Sequence, residues 1–312
     1  MSSAETAAAS RPNNALKAIG WMALSGVGFS AMTGILRYVT ETMDPLQAGF
    51  IRYAFSIFLL APFFLGGRVG QLRTERLHWH ILRGALHTTG VLLWFFALTR
   101  IPLADITALS FTSPLFATVG AVLFLGERLH ARRIGAVLMG FAGTLVVIRP
   151  GFSAIDVGVI CMLVSSPLFA ISELIAKSLS RHEGTATIVT YQTLTVSAFA
   201  LIPAVIVWQT PSWTNLALLG MTALVATGAH LCWIRALKEA DVTVTQPIKF
   251  LTLVWAAAIG FFIYSEVPDI WVWVGGAIIF ASASYIAHRE AQIRRQGETT
   301  VAPVATSGPA NT

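Results

Sequence analysis

Apolar and polar positions are segregated into long blocks along this chain. Ten apolar runs stand out, at 17–39, 46–66, 78–99, 104–125, 132–149, 156–178, 185–208, 214–237, 243–264 and 271–288. Each is close to the roughly 20 residues that carry an α-helix across a bilayer. A helix satisfies its backbone hydrogen bonds internally where no water is available. The two-residue alternation of a transmembrane barrel is not the pattern here. The runs predict ten transmembrane helices. The flanking segments, 1–16 and 289–312, are rich in Ala, Ser, Thr, Pro, Asn and charge, and are expected to be disordered cytoplasmic tails.

Composition narrows the class. Of 312 residues, 55% are hydrophobic and 12% charged, with a mean hydropathy of +0.70. A soluble domain carries about 25% charged residues, so a water-facing globule and an intrinsically disordered chain are both excluded. Ten spans leave no length for a soluble catalytic or ATP-binding domain. No G-x-x-x-x-G-K-[ST] phosphate loop occurs, which disfavours a primary pump. His78, His80 and His87 lack a carboxylate at ligand spacing, so no metal site is expected. The reading is a non-enzyme without a cofactor. Cys161 and Cys232 both fall inside apolar runs, which does not support a disulfide framework.

The net charge of +6 is read as orientation and not as nucleic-acid binding. With the N-terminus inside, the inner segments hold Arg11, Lys17, Arg68, Arg73, Arg76, Arg128, Arg132, Arg133, Arg181, Lys238, Arg289, Arg294 and Arg295, against only Arg37, Arg100 and Arg149 outside. The positive-inside rule then places both termini in the cytoplasm of an inner-membrane protein.

The chain repeats itself. WFFAL at 94–98 lies over WIRAL at 233–237, and the same offset carries Glu127 onto Glu266. FSAMTGILR at 29–37 lies over FAISELIAK at 169–177, and Pro62 and Pro203 fall in corresponding spans. Residues 17–150 and 151–288 are therefore read as two five-helix repeats. An odd number of spans forces the second copy to enter the membrane inverted. The fold class is all-α integral membrane, ten transmembrane helices as two inverted five-helix repeats. Such halves exchange conformations around a midplane site in many secondary transporters.

The order of these signals resembles the drug/metabolite transporter superfamily, EamA type. The resemblance rests on the 5+5 spans, the AL pair ending spans three and eight, the GE or SE ending spans four and nine, and LFLGERL (123–129) followed by IGAVLMGFAG (134–143). SEVPD at 265–269 departs from the family's GE-plus-basic pattern. The resemblance implies a small-metabolite carrier, often an exporter. It extends in general terms to the YddG-type aromatic amino-acid exporters, which implies amino-acid cargo. A carrier of a purine or sugar derivative and a channel-like facilitator stay open as alternatives. The partners implied are a small molecule and the lipid bilayer; a monomer is compatible with this.

Ionisable groups inside spans cost about 2.5–3.5 kcal/mol at mid-bilayer and default to functional candidates. They are Arg52, Arg83, His87, Glu173, His230, Arg235 and Lys249. Lys249, beside Gln246 and Pro247, is the best anion-binding candidate, with snorkelling as its rival. His87 could bind a carboxylate, carry a proton or simply pack. Glu173 could pair with Lys177 one turn on, or carry protons. Trp94 and Trp233, related by the repeat, are candidates to stack on a substrate. Ser113 and Ser165 complete the expected substrate-binding set with His87, Trp94, Trp233, Gln246 and Lys249. Helix breaks are expected at Gly26 and Gly28, Pro114, Pro167 and Pro247, in repeat-related spans one and six, four and nine.

Overall fold

A computed structural model describes residues 15–65, 74–125, 131–149, 155–179, 182–239 and 248–300. Among these residues the chain forms eleven helices: α1 (Ala15–Thr40), α2 (Pro45–Leu65), α3 (Leu77–Leu98), α4 (Leu103–Ser110), α5 (Ser113–Leu125), α6 (Ala131–Ile148), α7 (Val157–Leu179), α8 (Thr185–Ile206), α9 (Trp213–Glu239), α10 (Leu251–Tyr264) and α11 (Ile270–Thr300). The pair α4 and α5 makes one span, so the ten apolar runs become the ten spans of an all-α membrane protein. Among the described residues, six stretches are long and apolar enough to cross a membrane, including Leu16–Thr40, Leu103–Gly120 and Val157–Ala176.

The packing maps onto itself when the halves are exchanged. α1 lies along α9 as α7 lies along α3, and α1 meets α10 as α7 meets α5. α2 packs on α8, and α6 on α11, each helix on its own counterpart. Small residues set these approaches. A Cβ on Gly28 would stand 2.8 Å from Ala229 Cβ, and one on Gly143 would stand 2.9 Å from the Gly275 carbonyl oxygen. Without side chains at such positions, helix backbones approach closely enough for dispersion to hold them where lipid offers no hydrophobic drive.

The expected breaks divide into three outcomes. Span four does break: Phe111 and Thr112 form a turn, and Pro114 takes its place in the first turn of α5, where its missing N–H is not needed. Span one does not break. α1 runs unbroken through Gly26 and Gly28, because these glycines serve close approach to α10 and α9 instead of a bend. α7 likewise continues through Pro167, with Ser165 and Ser166 both bonded to the carbonyl of Met162 at 2.9 and 3.0 Å. Pro247 lies outside the described residues.

The tail beginning at 289 also differs from expectation. α11 continues to Thr300, 31 residues from Ile270. Arg, Glu and Gln dominate this stretch, and such straight-chain residues lose little rotamer freedom in a helix.

Candidate functional site

A cavity of about 300 Å³ lies between α1, α3, α4, α9 and α10, at the lower end of the ~300–1,000 Å³ typical of small-molecule sites. α1 contributes Met22, Ser25, Gly26, Phe29, Ser30 and Thr33, spaced three and four apart as one helix face requires. Trp94 enters from α3, Thr107, Ser110 and Phe111 from α4 and the turn after it, and His230 and Trp233 from α9. Lys249 and Thr252 flank the start of α10.

That last position has a backbone cause. Residues 248 and 249 are helical, Phe250 turns, and α10 starts at Leu251. Span nine is thus interrupted beside Lys249, as span four is interrupted beside Ser110. The two turns touch through Phe111 and Phe250, whose ring centroids are 6.2 Å apart. The ammonium of Lys249 and the N-terminal end of α10, the positive end of its helix dipole, lie at one wall of the cavity. The other walls are hydroxylic and aromatic. Ser30 already donates to the Thr252 carbonyl at 3.1 Å, and Thr33 to that of Phe29 at 2.9 Å.

One turn beyond Thr33, at the far end of α1, an ion pair joins this helix to the end of α10. α10 ends with Ser265 in the left-handed region at φ 54°, a conformation costing about 1–2 kcal/mol outside glycine. The Glu266 N–H then bonds back to the Gly260 carbonyl at 2.9 Å. This turn swings Glu266 inward, where Oε1 lies 2.8 Å from Arg37 Nη2 and Oε2 accepts the Leu103 N–H at 2.9 Å. The contact to Nη2 is a close charge pair and not an aligned hydrogen bond. Arg37 spends its other donors on the carbonyls of Leu98 and Ile101, at 3.1 and 2.7 Å, and sits over the Tyr264 ring. Tyr264 donates to the Gly34 carbonyl at 2.7 Å. One latch therefore ties α1, the α3–α4 connection and the end of α10.

A second polar group lies between α2, α3, α7 and α8. The buried Arg83 donates to the carbonyls of Ser172 and Ile188, at 3.3 and 3.1 Å, and to the Gln192 side chain. His87 faces Tyr53 Oη at 3.5 Å and Ser172 Oγ at 3.4 Å, with Phe169 edge-on at 5.1 Å. Arg52 lies over the Tyr53 ring, reaches Met32 Sδ at 3.5 Å and keeps a buried Nε without a partner.

The structure therefore brings Trp94, Trp233 and Lys249 of the expected set into one cavity. It does not bring His87 there, because both ring nitrogens are directed into the α2–α7 network. Ser165 is fully buried against Met162, and Ser113, the first residue of α5, is not among the cavity-lining residues. Gln246 lies outside the described residues. Gly26 marks span one in the expected set, but Ser25, Phe29, Ser30 and Thr33 of the same α1 face are not in it, although their spacing already carries the face. His230, an in-span ionisable candidate outside the expected substrate-binding set, lines the cavity 5.2 Å from the Trp233 ring.

Comparisons with known proteins agree with this architecture. The model of the EamA-like transporter family matches twice, at residues 16–149 and 156–287. The chain is 31% identical to an S-adenosylmethionine uptake transporter of Rickettsia felis, over 89% of this chain and 96% of the relative. It is 30% identical to a riboflavin transporter of Vibrio cholerae, covering 88% and 94%. The pseudopaline exporter CntI of Pseudomonas aeruginosa is 26% identical, covering 82% and 90%. A protein of known crystal structure shares the fold with a TM-score of 0.55, at 17% identity over 83% of this chain and 94% of its own. Two matched copies, ten spans and a cavity at their interrupted helices lead to one assignment: the chain belongs to the EamA-like transporter family, and it is a multi-pass membrane transporter of small molecules, not an enzyme.

Proposed function

We propose that this protein carries, by alternating access across the inner membrane, a metabolite that joins a flat aromatic ring to an anionic group. Both termini are cytoplasmic in this reading, and the Arg37–Glu266 latch faces the outside. The observation that carries it is the cavity at the break of span nine, where Lys249 and the N-terminus of α10 meet two counterpart tryptophans. Interrupted spans at a repeat interface are where secondary transporters bind their cargo. Trp94 and Trp233, with Phe29 and Phe111, offer faces to a ring, and Lys249 offers a charge to a carboxylate. Gln246, three residues before Lys249 in sequence, stays a sequence-based candidate for the same site.

The relatives' cargoes favour the ring, since S-adenosylmethionine and riboflavin both contain fused aromatic systems. Aromatic amino acids, the export cargo implied by the family resemblance, fit the same description. The relatives include uptake and export proteins, so direction in this reading is set by gradients.

Counterflow in proteoliposomes tests the reading, with labelled S-adenosylmethionine, tryptophan and riboflavin in parallel. Unlabelled cargo on the far side should accelerate labelled uptake of at least one. Lys249→Ala should weaken carboxylate-bearing cargo about tenfold or more and leave riboflavin less affected. Flux without counterflow would make the protein a channel, and wild-type kinetics in Lys249→Ala would remove the anion site.

A further inference from the structure

A cavity of about 380 Å³ lies in the seam between α3 and α7 and shares no lining residue with the carrier cavity. The two helices run antiparallel. His80 meets Glu183 at one level, Arg83 meets the Ser172 carbonyl further along, and a Cβ on Gly90 would meet Phe169 beyond that. The groove follows this seam from the start of α3. Arg76, the residue before α3, and Trp79 stand at its mouth with Ser178 of the last turn of α7. Leu82, Leu174 and Ile171 continue inward. Ser178 to Ile171 spans about 10 Å of helix, two-thirds of the ~15 Å apolar depth of one leaflet.

The walls are apolar and one side is open. Ile175 and Leu179 form the floor, packed with Ile188 of α8. On the rim, Trp79 and Leu82 keep 42% and 45% of their surface exposed, and such exposure inside a span faces lipid. The chemistry changes at the mouth. Arg76 is the only charged residue lining the groove among the described residues. Its N–H donates to Thr74 Oγ1 at 2.9 Å and its carbonyl accepts the Trp79 N–H at 3.0 Å, which fixes its backbone. Its guanidinium donates no hydrogen bond among the described residues. Of the neighbouring carboxylates, Glu183 gives one oxygen to Thr74 and the other to His80, and Glu75 is exposed.

We propose that this groove binds one anionic phospholipid, its phosphate on Arg76 and one acyl chain along Leu82, Leu174 and Ile171. A guanidinium matches a phosphodiester with two parallel hydrogen bonds, and Trp79 supplies the indole that favours headgroup depth. A wholly apolar occupant would leave the arginine unanswered, and a free anion would leave the groove below it unfilled. In the orientation proposed above the lipid belongs to the cytoplasmic leaflet, where basic pockets between helices hold anionic headgroups. Only the choice of leaflet rests on that reading. Bound there, the lipid bridges the same two elements that the Glu183 contacts join.

Native mass spectrometry of the purified full-length protein in detergent tests this, with titrations of dioleoylphosphatidylglycerol and dioleoylphosphatidylcholine. Wild type should retain one phosphatidylglycerol at concentrations where phosphatidylcholine is not retained. Arg76→Gln should lower that affinity about fivefold, the effect of one cation at a lipid surface. Leu82→Trp, which fills the groove and keeps the charge, should lower it by at least as much. Arg100→Gln removes a charge from the other end of α3, where it lies over Phe96, and should bind as wild type does. Glycerol 3-phosphate in excess should not displace the lipid, because the acyl chain holds it.

No retained phosphatidylglycerol in wild type, equal retention of both lipids, or unchanged affinity in Arg76→Gln or Leu82→Trp overturns the proposal. Displacement by glycerol 3-phosphate also overturns it, in favour of a free phosphate site. A dimer that Leu82→Trp dissociates would give the groove to a second copy instead. Should Arg76→Gln not fold, Leu82→Trp, altered at a lipid-facing residue, and the glycerol 3-phosphate competition decide. None of these readouts involves the cargo, so failure here is distinguishable from failure of the carrier reading.

Discussion

Helices α1 and α7 hold counterpart places, yet their matching residues meet different surroundings. On α1, Ser25, Gly26 and Phe29 border the cavity. On α7, their counterparts are packed: Ser165 is fully buried, Phe169 lies edge-on to His87 at 5.1 Å, and the hydroxyls of Ser166 and Thr112 stand 3.0 Å apart. Thr112 is within one residue of the counterpart of Thr252, the residue nearest a Cβ built on Gly26. The same pairing is therefore open in one half, where glycine leaves room, and closed in the other, where serine fills it. The ends of the two helices also differ. α1 closes its far end through Arg37 and Glu266, whereas the turn after α7 holds Glu183 against α3 through His80 at 2.7 Å and Thr74 at 2.5 Å. A repeat of near-equal copies thus yields one cavity with one latched end.

The latch gives the largest handle on this difference. Breaking a buried pair costs about 3–5 kcal/mol; Arg37 and Glu266 keep 20% and 13% of their side-chain surface exposed, so about 2–3 kcal/mol of closure is expected from them. Arg37→Ala should make a cysteine placed at Ser30, in a variant lacking Cys161 and Cys232, react at least tenfold faster with an impermeant thiol reagent from that face. Unchanged labelling would show that helix packing alone closes it. The swap Arg37→Glu with Glu266→Arg should restore part of the protection.

Gly26→Ser should make α1 resemble α7. A Cβ there would meet Thr252 Oγ1 at 3.0 Å, so the added hydroxyl projects into the cavity, and overpacking costs about 1–3 kcal/mol. Substrate affinity, read as half-saturation in counterflow, should fall about tenfold with melting temperature within a few degrees of wild type. Unaltered affinity would mean that the cargo does not approach this wall.

The converse change, Ser166→Gly, loosens α7. Losing a buried hydroxyl contact costs about 1 kcal/mol, read as a lower melting temperature in detergent with binding retained.

Glu183 supplies the smallest effect and a pH signature. Burial would raise its carboxyl, but donation from Thr74 and His80 together with the charge of Arg76 holds it below its ordinary value. A carboxyl held low in the fold contributes stability above its unfolded value and loses it as pH falls through the folded one. Glu183→Gln should therefore be less stable than wild type at neutral pH, by about 1 kcal/mol, with the deficit shrinking in acid. A deficit that grows in acid would contradict the assignment.

Much of this architecture is legible from residue order. Ten apolar runs fix the spans, and the offsets of Trp94 and Trp233 fix the repeat, because periodic burial leaves its period in sequence. Lys249 was conspicuous because an ammonium so deep needs an explanation. Other parts were silent. Ser30 and Thr33 give no alarm in an apolar helix, since hydroxyls there bond to carbonyls one turn back or on a neighbour. Gly26 and Gly28 read equally as a bend or a close approach, and only the partner helices decide between them. His87 carries the right chemistry, but its ring orientation depends on Tyr53 and Ser172, which lie on other helices and far away in sequence.

The touching rings of Phe111 and Phe250 have a consequence of their own. The two residues are counterparts, so trading conformations between the halves maps their contact onto itself. In the proposed alternating-access cycle, gates at either end must break and reform, while this junction can persist throughout. In that cycle it would serve as the knuckle of a joint, a pivot about which the two bundles rock. Filling or emptying it would stiffen or slacken the carrier without touching its cargo.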